Sequence, residues 1–381
     1  MIACRILSGL DPRDYGSRKV AVAMSGGVDS SLTAILLKEA GFDVVGITML
    51  LRDRDRHGEG GDRDSDPSAV DDARQVADEG EFPHYTIDLR REFEQYVVDD
   101  FVKEYLSGRT PNPCVRCNRF IKWETLHEKA LDFGCDLMAT GHYARIARYD
   151  DDTHSILSGV DDTKDQSYFL WRIDTNLLSY TLFPLGSMTK HDTRNKASRR
   201  SLASTHRSES QEICFIPDND YGRFLRERFP HNPPSALREG DIVTINGEKA
   251  GTHRGTAYYT IGQRKGLGVA LGRPVYVTAV DTCSKSVTIG DEKDLLAAAM
   301  TVGNTIWTRG APPGDEFRAM VKIRYRHAGS LATIRPGDHD VEIDFDKPQR
   351  AITPGQSAVF YHGPVVLGGG IIRHVRQRKS G

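Results

Sequence analysis

Apolar residues in the first 150 positions follow two alternating rhythms. KVAVAM (Lys19 to Met24) and DVVGITML (Asp43 to Leu50) are short, nearly unbroken apolar runs, the pattern of buried strands. Between them DSSLTAILLKEAG (Asp29 to Gly41) spaces its apolar residues at helical intervals and ends on a glycine. Strand, loop, helix and second strand in this order make a parallel βαβ unit. A helix from Ala69, the strand HYTIDL, helices from Arg91 and Asn118 and the strand DLMATG (Asp136 to Gly141) extend it into an open α/β sheet. Beyond Tyr221 the texture changes. From about residue 240, short β-rich runs (DIVTI, TAYYTIG, PVYVTAVD, SVTIG, EFRAMVKIRY, VEIDF, SAVFYHGPVVLGGGII) alternate with Gly, Pro and Asp turns, which predicts a small linking domain and then a terminal β-barrel or sandwich. The expected division is 1–221, 222–285 and 286–381.

Composition narrows the class. A chain of 381 residues has room for two or three domains, and 38% apolar with 27% charged residues is ordinary for a globular protein. No run of about 18 apolar residues occurs, and MIACRILSGLDPRDYGSRK lacks the apolar stretch of a secretory signal, so a cytoplasmic protein without membrane contact is expected. The net charge of −2 hides a division: positions 51–100 hold 7 basic and 16 acidic side chains out of 51 and 53, so the remainder carries a net +7 that suits a polyanionic partner. Residues 52–68 mix charges of both signs with glycines and read as a flexible surface loop. Six cysteines are too few for a disulfide scaffold in a chain this long; each is a metal ligand, a reactive thiol or core filler, and for Cys4, Cys135 and Cys283 core filler is the expectation.

Two segments carry candidate chemistry. The first strand runs into Ser25-Gly26-Gly27-Val28-Asp29-Ser30 and then a helix, so loop and helix N–H groups converge on one point, an anion site. The glycines admit close backbone approach, and Ser25, Ser30 and Ser31 offer hydroxyl donors. No lysine follows, so a Walker-type loop is disfavoured, and Asp29 beside a phosphate requires a bridging Mg²⁺. The plainer alternative is a capped strand-to-helix turn. The second segment, TPNPCVRCN (Thr110 to Asn118), places Cys114 and Cys117 on a proline-stiffened turn before a helix, where the helix dipole, Arg116 and Arg119 would lower a thiol pKa. Cys214 follows in SQEICFIP. The three thiols read as a sulfur-passing pair that closes a disulfide, as a three-thiolate iron–sulfur site, or as buried cysteines without chemistry. A structural zinc site is disfavoured because no second C-x-x-C exists.

SGGVDS resembles the PP-loop of ATP pyrophosphatases, which split ATP into AMP and pyrophosphate while adenylating a carbonyl oxygen. That resemblance implies an adenine nucleotide alpha hydrolase-like parallel-sheet domain, with ATP held at Ala23, Met24, Ser25, Gly26, Gly27, Val28, Asp29 and Ser30 and with Met49 and Gly141 lining the adenine or ribose pocket. TPNPCVRCN, ATGHY, KDQSYFL (Lys164 to Leu170), SQEICFIP, TIGQRKGLG (Thr260 to Gly268) and RYRH (Arg324 to His327) then occur in the order and spacing of the tRNA-specific 2-thiouridylase family, which the chain resembles over nearly its whole length.

The resemblance implies that ATP adenylates the 2-oxygen of the wobble uridine in the tRNA anticodon arm and that sulfur displaces AMP. Cys214 would carry a persulfide supplied by a cysteine desulfurase or sulfur relay, Cys117 would be the second thiol, and Asp165 would orient the base or assist proton movement, its alternative being a loop cap. In a second account for the family a 4Fe-4S cluster, here on Cys114, Cys117 and Cys214, takes the place of the persulfide. Many members have aspartate where Cys114 stands, and the extra cysteine favours cluster ligation. Positions matching tRNA contacts are Asn112, Pro113, Cys114, His142, Lys164, Asp165, Gln166, Arg324, Tyr325 and Gln356. The basic stretch Lys190, Arg194, Lys196, Arg199, Arg200 and Arg207 is expected to track phosphates or to be a solvated helix face, and Arg373 to Lys379 to be a frayed basic terminus. A monomer without an added N-terminal RNA-binding domain is expected. The rival readings are a PP-loop ligase acting on a small carbonyl substrate, which gives the thiols no role, and a non-catalytic RNA-binding protein with a structural metal, which leaves the PP-loop unused.

Overall fold

The structure, a computed structural model, describes residues 4–16, 18–52, 67–202 and 213–376. Most of the expected 52–68 loop, together with Arg207, Gln211, Glu212 and Lys379, lies outside the described residues.

Five parallel strands form the first sheet, in the order His84–Asp88, Asp43–Leu50, Lys19–Ala23, Leu137–Ala139, Thr181–Leu182. Alternation along the inner strands supplies two buried faces, as the near-continuous apolar runs require, while the edge strand His84–Asp88 is mostly exposed. Val20, Val22, Val44, Leu137 and Ala139 pack with Ala34, Leu37, Ala73 and Val76 of the helices Val28–Glu39 and Pro67–Glu79. Ala21, Ala23, Val45, Ile47 and Met138 face Phe93, Val97, Phe101, Ile121 and Trp123 of the helices over 90–106 and 113–132. Both of the latter loosen into π-helical winding, at Glu94–Val98 and Cys117–Leu126, a departure frequent at functional sites. Chain order runs outward from Lys19–Ala23 to His84–Asp88 and then returns to Leu137–Ala139 on the other side. The crevice between those two central strands is therefore the switch point where open α/β sheets bind ligands.

Two pieces of the first 160 residues lie outside the expected sheet. Ala144–Tyr149 and His154–Ser158 form a hairpin edged by Cys4–Leu7, and Leu157 pairs with Val365 of the C-terminal sheet. There the strands Val365–Arg376, Leu296–Trp307, Asp340–Arg350, Ser330–Pro336, Phe317–Lys322 and Ser357–His362 neighbour one another in that order, and the last pairs back with the first. The expected barrel-or-sandwich is thus a closed six-stranded antiparallel barrel filled by Met300, Val302, Ile334, Ile343, Phe360 and Ile372. The central unit is a four-stranded sheet in the order Lys249–His253, Gly240–Thr244, Ser286–Gly290, Tyr276–Asp281. Its last two strands form one hairpin, which straddles the expected 285/286 junction. Arg373, expected in a frayed terminus, lies inside a barrel strand and pairs with Asp340 at 2.6 Å. Among the described residues no helix is long and apolar enough to cross a membrane.

Candidate active site

Residues 24–30 connect the central strand to its helix at the crevice. Gly26 has φ +69°, and a Cβ there would lie 2.4 Å from the carbonyl oxygen of Ala69, so the left-handed turn and the helix packed on it both require glycine. Gly27 begins the helix without any side-chain cap, which leaves first-turn N–H groups open to an anion. Ser30 Oγ donates to the Gly27 carbonyl at 3.0 Å and accepts from the Ser25 N–H at 3.2 Å, closing the loop on itself. Ser31, expected to offer a hydroxyl, is fully buried and its Oγ has no partner among the described residues. Gly141 comes from the adjacent strand end and packs on the helix start, where a Cβ would lie 2.9 Å from the Asp29 carbonyl carbon. Met49 is half-buried at the end of its strand, and Thr48 ties that end to the loop by donating to the Met24 carbonyl at 2.9 Å.

Asp29 has partners that the sequence did not suggest. Lys190 Nζ donates to both of its carboxylate oxygens at 2.8 Å, and the Tyr143 hydroxyl donates to Oδ1 at 2.9 Å. Lys190 is buried, with its ammonium 5.6 Å from the Tyr143 ring. Its helix, Lys190–Arg199, is started by a reciprocal Thr189–Asp192 capping box, and the Lys190 N–H donates to Asp161 at 2.9 Å. Lys190 is therefore no phosphate-tracking surface residue as expected; it neutralises the loop's carboxylate. Arg200 is likewise engaged, by Glu39 at 2.6 Å, while Arg194 and Arg199 are exposed. The signal that was available is the Thr-x-x-Asp box, which fixes a helix start one residue before the lysine.

The cysteine segment differs from expectation in one respect. The helix starts at Pro113 rather than after Cys117, because proline at the first helical position loses nothing by lacking an N–H. Cys114 and Cys117 then stand three residues apart on one helix face, Cys114 exposed and Cys117 half-buried. Asn118 Nδ2 donates to the Phe169 carbonyl at 3.0 Å, and Gln356 Nε2 donates to the carbonyls of Thr110 and Pro111 at 3.2 and 2.9 Å. Tyr168, fully buried, donates to the Ser357 carbonyl at 2.9 Å. Tyr325 packs against Phe169 with ring centroids 4.5 Å apart, and Arg324 donates to the Arg350 carbonyl at 3.2 Å. Segments 110–118, 164–170, 324–327 and 356 are thereby brought together where the cysteine helix meets the barrel. Gln356 and Arg324, both expected at tRNA, make these hydrogen bonds at that junction.

Asp165 is buried and accepts from the N–H groups of Gly159 and Ser167 at 3.1 and 3.0 Å and from the Ser167 hydroxyl at 3.0 Å, with Lys322 at 3.6 Å. This is the geometry of the capping alternative. Gln166 Oε1 accepts from the Tyr143 N–H at 2.9 Å, linking the KDQ segment to the residue that holds Asp29. His142 shares a 2.7 Å hydrogen bond with Thr140 and packs between Trp123 and Phe183; burial drives its pKa well below the ordinary value, so the ring is neutral. Lys164 is half-buried in the turn before Asp165. Cys214 is half-buried and, like Cys117, borders the large apolar cluster beneath the sheet. Cys135 is core filler as expected, its thiol pushed up to about 11 by burial, whereas Cys4 and Cys283 are exposed. Among the described residues no group of three or more His, Cys, Asp or Glu side chains is placed to hold a metal ion.

Residues 18–218 match the family description "tRNA methyl transferase HUP domain", 224–291 match "tRNA methyl transferase PRC-barrel domain" and 297–372 match "Aminomethyltransferase beta-barrel domain". A tRNA-specific 2-thiouridylase MnmA of Geotalea uraniireducens is 45% identical over 95% of this chain and 97% of its own length. Proteins of the same name from Carboxydothermus hydrogenoformans and Heliobacterium modesticaldum are 46% and 47% identical over 94% and 93% of the chain and 98% and 92% of theirs. Similarity of this degree over nearly the full length settles the family: the chain belongs to the tRNA-specific 2-thiouridylases.

Proposed function

We infer that this protein uses ATP to replace the 2-oxygen of a tRNA uridine, at the wobble position of the anticodon arm, with sulfur. The observation that carries the reading is the meeting of the C-x-x-C helix with the KDQSYF and RYRH segments, on the same sheet whose switch-point crevice holds the phosphate loop. A ligase for small carbonyl substrates would have no use for the first half of that arrangement.

The chemistry follows from the groups present. A carbonyl oxygen leaves poorly until it is made a phosphate ester, so the loop's role is to hold the ATP phosphates on its open N–H groups while the uridine 2-oxygen attacks the α-phosphorus and pyrophosphate departs. Lys190, by pairing with Asp29, keeps a negative charge from opposing those phosphates. The terminal sulfur of a Cys214 persulfide attacks C2 and AMP leaves. The Cys117 thiolate then attacks Cys214 Sγ, releasing thiolated tRNA and leaving a Cys117–Cys214 disulfide, whose two electrons reduce the transferred sulfur. An upstream sulfur donor reloads Cys214 after reduction. Each of these steps runs through this chain's own phosphate loop and thiols. Asp165 acts as a positioning residue that shapes the loop around Lys164 and Gln166.

The test is single-turnover thiolation of tRNA by anaerobically prepared protein, with and without bound iron, using a persulfide donor. Cys214→Ser should abolish 2-thiouridine while retaining pyrophosphate release and tRNA affinity. Thiolation by Cys214→Ser would remove its role, and activity restricted to the iron-loaded form would replace the persulfide route.

A further inference from the structure

Three arginines crowd one aromatic ring beside the cysteine pair. The guanidinium carbons of Arg116, Arg119 and Arg172 lie 4.8, 5.0 and 5.4 Å from the centroid of Phe120, whose other neighbour is the exposed ring of Tyr96, stacked at 5.4 Å and 19°. Arg116 donates to the Tyr96 carbonyl at 2.6 Å and pairs with Asp100 at 3.1 Å; Arg119 pairs with Glu124 at 2.8 Å. Arg172 makes no direct ion pair among the described residues, Asp100 and Glu124 acting on it only at longer range, and its Nε is buried with no hydrogen-bond partner among those residues. Burial and repulsion by Arg119 and Arg116 outweigh the attraction of Asp100 and Glu124 and bring its pKa down to about 10. Folding gains nothing from a third cation placed against two others, half-buried and short of acceptors.

We propose that Arg116, Arg119 and Arg172 form a binding site for a backbone phosphodiester of the RNA strand flanking the target nucleotide. A phosphodiester supplies an acceptor for the orphaned Arg172 Nε and a negative charge in direct contact with the three guanidinium groups. Guanidinium groups interleaved with exposed aromatic rings are also how single-stranded nucleic acid is gripped, with Tyr96 offering its face to a base. Phe120 is three residues beyond Cys117 on the same helix, so a strand held here lies beside the thiol pair. The inference rests on the tRNA thiolation reading and adds to it the place where the strand is held.

The probe is the anticodon stem-loop RNA of a substrate tRNA, with dissociation constants measured between 50 and 200 mM salt for the full-length protein, Arg172→Gln and Arg119→Gln. Either substitution should weaken binding about tenfold and flatten the salt dependence by roughly one phosphate contact. Thermal unfolding of Arg172→Gln should be unchanged or shifted upward, because a repelled cation is gone. Unchanged affinity and slope in both variants, with normal wild-type binding, would overturn the site while leaving the thiolation reading intact. Weakened binding accompanied by a lower unfolding temperature would assign Arg172 a structural role and equally overturn it. A wild-type protein that does not bind the RNA would refute the thiolation reading itself. Loss of the difference between wild type and variant in millimolar inorganic phosphate, with no effect on the variant, would mark a free-phosphate site instead.

Discussion

Replacing Lys190 by methionine tests the link between the phosphate loop and the helix that closes it. The ammonium makes two 2.8 Å contacts with Asp29 and is buried, whereas the Asp29 side chain keeps 30% exposure. Removing one partner of a fully buried pair costs about 3–5 kcal/mol. Partial exposure, the remaining Tyr143 hydroxyl and the positive end of the helix cushion Asp29, so the expected loss is about 2–3 kcal/mol, with the contact to the Tyr143 ring contributing about 0.5 of it. For a domain of about 200 residues this corresponds to an unfolding temperature lower by roughly 5–10 °C. ATP affinity should fall further than stability, because an uncompensated carboxylate roughly 6 Å from a phosphate charge costs about 3 kcal/mol at an effective dielectric of about 20, or about a hundredfold. The assays are thermal unfolding and calorimetric ATP titration of Lys190→Met and of the double variant Lys190→Met/Asp29→Asn. Neutralising Asp29 should recover most of the stability and much of the affinity. A double variant no better than the single one would refute the charge argument, and a single variant as stable as wild type would refute the pairing.

Other consequences are open to direct measurement. Gly26→Ala places a side chain at φ +69° and 2.4 Å from the Ala69 carbonyl oxygen, so it should lose at least about 1–2 kcal/mol of stability and bind ATP poorly; retention of both would mean the turn is less constrained than its geometry. Gln356→Ala leaves two carbonyls of the cysteine strap without their donor, and thiolation should fall about tenfold or more while calorimetric ATP affinity stays constant. Equal losses in both would argue that the strap supports the whole domain. His84, His142, His154 and His327 all have pKa values lowered by burial from the ordinary 6.5, so the unfolded chain takes up protons that the folded chain refuses. Stability is complete above that value and declines as pH falls below it, by about 1.4 kcal/mol per unit for each fully titrating histidine; His142→Gln should reduce the decline seen in urea unfolding, and an unaltered decline would exclude His142 as a contributor.

The parallel sheet was legible because both of its faces are buried, which imprints unbroken apolar runs on Lys19–Ala23 and Asp43–Leu50. The hairpin over 144–158 was not. Its strands ARIARY and HSILS are short and partly polar, and they complete a sheet whose partner strand lies about 200 residues away. The phosphate loop could be found from sequence because its chemistry is contiguous, one strand end and one helix start. The partners of Asp29 could not, since Tyr143 and Lys190 lie 114 and 161 residues beyond it and carry no periodic signal. Gln356 and Arg324 were located through family likeness, but their hydrogen bonds to the carbonyls of Thr110, Pro111 and Arg350 join segments far apart in the chain and could not be read from it.

The pairing of Leu157 with Val365, reinforced by the Ser158 N–H donating to the Pro364 carbonyl at 2.8 Å, sets the order in which the protein can be completed during synthesis. The hairpin's outer edge emerges about 200 residues ahead of the strand that covers it, and at ~5–20 residues per second that edge waits roughly 10–40 s on the ribosome. Throughout that interval it is an open template for another chain. Slow decoding of the barrel region should therefore lower the yield of soluble protein without any change in its sequence.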